Sequence, residues 1–175
     1  MSAASIDELE LFNKFGDSIL ESQLKNSLPK EKKYKNALIV GRFQPLHRGH
    51  IYLLHCALHL AETVTICIGS VNITDNDNPF SQKLRLELLK RSIKREQLEK
   101  YIDKIFTLDD IPDDDEWLAQ ALEKAGDIDV VIGNNDWVNG LFQKSGYSIV
   151  EVPLLKREEY QGKIIRDTLR SKGKL

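Results

Sequence analysis

The chain has 175 residues, 41% of them hydrophobic and 30% charged, and its 25 Lys+Arg against 27 Asp+Glu leave a formal net charge of −2. That length gives one globular domain with a proper core, and the balanced charge excludes a general nucleic-acid binder, which needs a basic surface to displace counterions. No apolar run approaches the ~20 residues that span a bilayer.

In chain order, the opening MSAASIDELELF lacks the basic-then-apolar pattern of a secretory signal. Residues 5–22 read as an amphipathic helix, with Ser5 and Glu8 in a capping-box pattern and Ile6, Leu9, Phe12 and Ile19 near helical spacing. The stretch 25–36 carries Pro29 and five lysines and reads as a solvated linker. Strand and helix then alternate. Strands are expected at 37–41, 63–70, around 104–108, 129–133 and 147–152, and helices at 49–62, 81–93, 114–126 and 136–146. Such alternation predicts an α/β fold, a doubly wound parallel sheet of about five strands covered by helices on both faces. Ligands of such sheets bind beyond the carboxyl ends of the strands, where the strand order reverses. Cys56 and Cys67 lie in apolar runs with no metal spacing, which fits buried reduced thiols and a cytoplasmic protein.

The string GRFQPLHRGH, residues 41–50, follows the first strand and opens a helix. Gly41 lets the chain turn and Pro45 stiffens the loop. His47 and His50 flank Gly49 at a helix N-terminus, whose amides attract phosphate. Arg42 adds a cation capable of bidentate phosphate contact. The string is neither G-x-G-x-x-G nor a Walker loop. His55 and His59 share a helical face, but their neighbours supply no third ligand and no H-E-x-x-H is present, so no metal site is expected. The acidic run 109–116 lacks the spacing of a calcium loop and reads as a loop feeding a helix N-terminus.

A strand followed by H-x-G-H at a helix start resembles the nucleotidyltransferase superfamily, and the longer GRFQPLHRGH resembles the archaeal-type nicotinamide-nucleotide adenylyltransferases. NPFSQKLR (78–85), VVIGNNDWVNGLFQKSGY (130–147) and REEYQGKIIR (157–166) are similar to further segments of that family, in consistent order over about residues 37–170. The resemblance implies a Rossmann-like domain at 37–175, preceded by a helix and basic linker at 1–36. It implies transfer of AMP from ATP to nicotinamide mononucleotide (NMN), giving NAD and pyrophosphate, with Mg²⁺ accompanying ATP and a homo-oligomeric, cytoplasmic enzyme. His47, His50 and Arg166 would be catalytic. Gly41, Arg42 and Phe43 would bind ATP together with the two histidines, Arg85, Gly133 and Asn134. Lys163, Ile165 and Arg166 would complete that site, and Trp117 and Asn135 would hold NMN.

The chain departs from the family's pattern at Leu84, where the family has Glu, and at Lys163, where it has Thr. Two rivals therefore stay open: an adenylyltransferase acting on another phosphate such as phosphopantetheine or flavin mononucleotide, and a non-catalytic nucleotide sensor. The family also usually continues further beyond the position of Arg166. The expected N-terminal helix is the candidate to cover the surface this leaves. Deleting residues 2–33 is expected to lower the melting temperature or change the oligomeric state; an unchanged melt and size would deny the helix that role.

Overall fold

The computed structural model describes residues 32–152 and 160–175, and the helix expected at 5–22 lies outside them. Five strands form one sheet: β1 (Tyr34–Gly41), β2 (Ala61–Ile68), β3 (Ile102–Thr107), β4 (Val130–Ile132) and β5 (Ser148–Val150). Their order is β3-β2-β1-β4-β5 and every pairing is parallel. Between them run α1 (Arg48–Leu60), α2 (Gln82–Arg95), a short 3₁₀ turn (Glu99–Tyr101), α3 (Asp114–Ala125) and α4 (Asp136–Lys144), and α5 (Gly162–Ser171) follows. No helix among the described residues is long and apolar enough to cross a membrane.

The alternating side chains of the central strands fill two cores. Ala37, Ile39, Ile66, Ile68, Val130 and Ile132 pack with the buried faces of α1 and α2. Leu38, Cys67 and Val131 point the other way and pack with Trp117, Ala121 and Phe142 of α3 and α4. Both cysteines are buried and free; burial pushes the Cys67 thiol up to about 12. A sheet buried on both faces explains why its strands read as continuous apolar runs rather than alternating ones.

Most boundaries shift by one to three residues from the sequence reading, and two of the shifts have a plain cause. The first strand starts at Tyr34, inside the stretch read as linker, because Tyr34 pairs with Ala61 and the Asp129 carboxylate accepts the amides of Lys35 and Asn36 at 2.7 and 3.0 Å. A lysine-rich surface strand carries no apolar signal of its own. Helix α1 likewise stops at Leu60, two residues earlier than expected, since Ala61 is wholly buried in the sheet. Helix α5 was not among the expected elements. Its Ile165 and Leu169 pack with Phe80 and against Leu84, so the leucine that departs from the family pattern forms part of the seat for this helix.

The strand order reverses between β1 and β4, and the loops leaving these strands must part company there. Arg85 of α2 braces one side. It is 1% exposed, and its Nη1 donates to the carbonyls of Arg42 (2.7 Å) and Gly69 (2.9 Å), tying the exit of β1 to the exit of β2. Removing a charged partner from buried carbonyls costs about 2–3 kcal/mol. Arg85→Met is therefore expected to lower unfolding free energy by about that amount, read from urea melts; a loss under ~0.5 kcal/mol would show that water replaces it.

Candidate active site

The loop between β1 and α1 carries the motif that drew attention in the sequence. Phe43 adopts a left-handed backbone, φ 52°, and its ring folds back over Gly41, where an added Cβ would meet it at 3.1 Å. The buried Gln44 side chain pairs with the backbone of Phe80: Nε2 donates to the carbonyl (3.2 Å) and Oε1 accepts from the amide (3.0 Å). The Gln44 carbonyl accepts Nη1 of Arg166 at 2.8 Å, and Nη2 of that arginine binds Asp77 Oδ1 at 3.0 Å. Gly162 sits in the crook of this contact, since a Cβ there would lie 3.0 Å from both the Gln44 carbonyl oxygen and Arg166 Nη1.

His47 is the N-cap of α1. Its Nδ1 accepts from the amide of Gly49 at 3.1 Å, and its own amide donates to Nδ1 of His50 at 3.2 Å, a capping box built from two imidazoles. Gly49 is required by this geometry, because a Cβ would stand 2.9 Å from the His47 ring. The rings lie 3.8 Å apart, with Phe43 4.7 Å from His50. An Nδ1 that accepts a hydrogen bond holds no proton, so in each neutral ring the proton is on Nε2. Burial lowers His47 to about 4, and burial together with the neighbouring His47 lowers His50 well below its ordinary value. At neutral pH the pair is uncharged and carries two Nε2–H donors. The helix amides expected to attract phosphate are in part taken by the imidazoles.

His47, His50, Gly41 and Gly49 line one wall of a cleft of about 370 Å³ at the switch point. Gly133, Asn134 and Asn135 line the opposite wall, and Tyr160 to Gly162 a third. Asn134 donates Nδ2 to the Val152 carbonyl (2.7 Å) and accepts its amide (3.1 Å), extending the β4–β5 pairing into the loop. Asn135 caps α4 through the amide of Val138 at 3.0 Å. The cleft is thus walled by side chains that are themselves held.

The remaining sequence candidates fall in different places. Arg42 is exposed and donates Nη1 to Asn78 Oδ1 at 3.1 Å, and Lys163 is exposed on the first turn of α5. Arg85 and Arg166 are buried with their Nη groups spent largely on backbone carbonyls, which makes them braces of the loops. Ile165 is 1% exposed in the apolar cluster beneath α5, so its side chain serves packing. Trp117 is 2% exposed in the α3–α4 core, whereas Trp137, which the sequence reading passed over, is 46% exposed. Tyr160 was also passed over as a site residue: it lines the cleft and its hydroxyl accepts from Arg48 Nη1 at 3.0 Å. Its position in the motif at 157–166 was the available signal. His55 binds Glu96 at 3.0 Å, and among the described residues no group of three or more His, Cys, Asp or Glu is placed to hold a metal ion.

A five-stranded parallel sheet with paired histidines capping the helix after its central strand defines a class of nucleotide-binding domain. A family model described as cytidylyltransferase-like matches residues 38–167, and the chain belongs to that family. Among its relatives, the nicotinamide-nucleotide adenylyltransferase of Archaeoglobus fulgidus is 34% identical over 134 residues, 74% of this chain and 77% of that protein. That of Thermoplasma acidophilum is 28% identical over 139 residues, 79% of this chain and 76% of that protein. The bifunctional NMN adenylyltransferase/ADP ribose pyrophosphatase of Francisella tularensis has the same fold, with TM-score 0.70 at 22% identity, over 79% of this chain and 43% of that longer one.

The depressed pKa of His47 has a consequence for stability. Between pH 6.5 and about 4 the unfolded chain binds a proton that the folded chain refuses, so stability is complete above pH 6.5 and falls as pH drops through that window. The full loss from this group is about 3 kcal/mol. His47→Asn keeps an N-cap acceptor and removes the titration. Urea midpoints are expected to fall less steeply from pH 7 to 4.5 in this variant than in the parent protein; parallel curves would show that His47 titrates normally.

Proposed function

We propose that this protein transfers AMP from ATP to nicotinamide mononucleotide, releasing NAD and pyrophosphate, in the biosynthesis of NAD. The observation that carries the reading is the pair of neutral imidazoles, each with its proton on Nε2, on the wall of the switch-point cleft. The names of the curated relatives supply the acceptor.

An oxygen of the acceptor's 5′-phosphate forms a bond to the α-phosphorus while the bond from that phosphorus to the bridging oxygen breaks, and the electron pair leaves with pyrophosphate. The attacking phosphate is already ionised at neutral pH, so no strong general base is needed. What the reaction needs is in-line placement and donors that follow the growing charge on the phosphoryl oxygens. Neutral Nε2–H groups on buried rings suit this, because they can donate without the desolvation cost of a buried cation. His47 and His50 are the catalytic pair. Arg42 and Lys163 bring mobile positive charge to the polyphosphate, Gly41 and Phe43 shape the turn beneath it, and Arg85 and Arg166 hold that turn in place. Gly133, Asn134 and Asn135 form the facing wall, toward the α3–α4 side that carries Trp117.

Magnesium enters as part of the substrate, its ligands coming from ATP oxygens and water. A solved relative of the fold, the Francisella tularensis protein, is described as complexed with AMP and MN ion. The compartment we propose is the cytoplasm, where the buried thiols Cys56 and Cys67 stay reduced, and sedimentation velocity reads whether the protein assembles as the family resemblance implies.

The test is pyrophosphate release with ATP, Mg²⁺ and a panel of acceptors: NMN, phosphopantetheine and flavin mononucleotide. Selective turnover of NMN is expected. His47→Ala and His50→Ala are each expected to lower kcat roughly 10²–10³-fold. Turnover of a different phosphate would keep the histidine chemistry and replace the acceptor, and ATP binding without any turnover would favour the nucleotide sensor.

A further inference from the structure

We infer that residues 5–22, an acidic stretch with helical spacing of its apolar residues, seat on a basic-rimmed apolar groove between α2 and the edge strand β3. The groove is separate from the catalytic cleft, and the inference is independent of the reaction proposed above.

The groove measures about 430 Å³. Ile102 and Ile105 of β3 give it an apolar lining, and Lys90, Arg91 and Lys94 of α2, all exposed, supply positive charge. Glu99 is the one acid among the residues that line it. Arg91 already binds Glu87 at 2.6 Å, so the charge offered outward is chiefly that of Lys90 and Lys94. Strand β3 ends the strand order, and among the described residues no further strand pairs with its outer edge. Proteins ordinarily cover such an edge with a helix or a loop.

The chain itself supplies the occupant. The described residues begin at Lys32, whose Nζ lies 5.2 Å from the centroid of the Tyr101 ring. Tyr101 closes the 3₁₀ turn that opens with Glu99 of the groove, and Ile102 follows it. The Lys33 amide is fixed on the Leu60 carbonyl at 2.9 Å. The chain that precedes residue 32 therefore starts its path beside one end of the groove. Nine residues, 23–31, separate Ser22 from Lys32, a tether of at most about 30 Å. A short tether holds its cargo at an effective concentration near millimolar, so a modest contact is enough to seat it. The charges are complementary as well. Residues 5–22 hold five carboxylates against one lysine, Lys14, opposite in sign to the groove. In a helix Leu9, Phe12 and Ile19 share the apolar side, and Glu10 and Asp17, seven residues apart, share one flank. Lys90 and Lys94, four apart, likewise share one side of α2. This seat differs from the surface beyond Arg166: α5 packs near Leu84 at the start of α2, whereas the groove lies along its end.

The test uses the full chain. Carbodiimide crosslinks from Glu10 or Asp17 to Lys90 or Lys94, mapped by mass spectrometry, are expected within one chain. A mixture of isotopically labelled and unlabelled protein separates these from links between copies. Amide hydrogen exchange across residues 9–20 is the second readout, since an isolated helix of this size is marginal in water. Leu9→Asp with Phe12→Asp is expected to abolish the crosslinks and speed that exchange about ten-fold. Tryptophan emission is expected to stay unchanged, because Trp117 and Trp137 pack between α3 and α4. Lys90→Glu with Lys94→Glu is expected to speed the exchange a few-fold, and adding Glu10→Lys with Asp17→Lys to that protein is expected to slow it again. Three results overturn the seat: no such crosslinks in the parent, crosslinks only between copies, or exchange in the parent as fast as in Leu9→Asp with Phe12→Asp. The second of these would put another copy of the chain in the groove.

Discussion

Strand β1 is hydrogen-bonded in parallel to β2 on one side and to β4 on the other, and this position shapes everything at the site. The chain leaves β1 toward α1 on one face of the sheet, whereas it leaves β4 toward α4 on the other face. Two loops diverging from adjacent strands leave a gap that no side chain of the sheet can fill. The cleft follows from strand order before any catalytic residue is considered.

Holding that gap open in one shape falls to a few buried polar groups. Arg85 joins the exits of β1 and β2, Gln44 clips the loop to Phe80, and Arg166 brings α5 onto the Gln44 carbonyl. Asn134 performs the same service on the facing wall by pairing with Val152. Backbone carbonyls of a buried loop cannot remain without donors, and a guanidinium offers several from one point. Arg85 and Arg166, which the family resemblance assigns to ATP, are therefore drawn into the structure, and the freer cations are Arg42 and Lys163 at its surface.

The histidine pair combines a structural and a chemical task. By capping α1, each ring commits Nδ1 and so fixes its proton on Nε2. Burial keeps the rings neutral, and the amides of His47 and Gly49 at the helix start are taken up by the imidazole Nδ1 atoms. A single arrangement thus satisfies the helix terminus, selects the tautomer and presents preorganised donors, the condition under which hydrogen bonds follow developing charge most effectively.

Much of this was legible in the sequence, since it depends on local pattern. Apolar runs separated by helical periodicity gave five parallel strands, and G-R-F-Q-P-L-H-R-G-H after the first of them marked the loop at the reversal, because a glycine between two histidines is needed where one ring folds over the next residue but one. The sequence could not tell which cations would be buried, because Arg85 and Arg42 have the same chemistry and differ in the acceptors that the fold brings to them from 15 or more residues away. Nor could it order the two tryptophans. Trp117 and Trp137 are twenty residues apart in the chain, and only the packing of α4 on α3 decides which ring covers the other. Local pattern determined the five strands, the first four helices and the motif; the direction each polar or aromatic side chain finally faces was a matter of long-range contact, which periodicity does not encode.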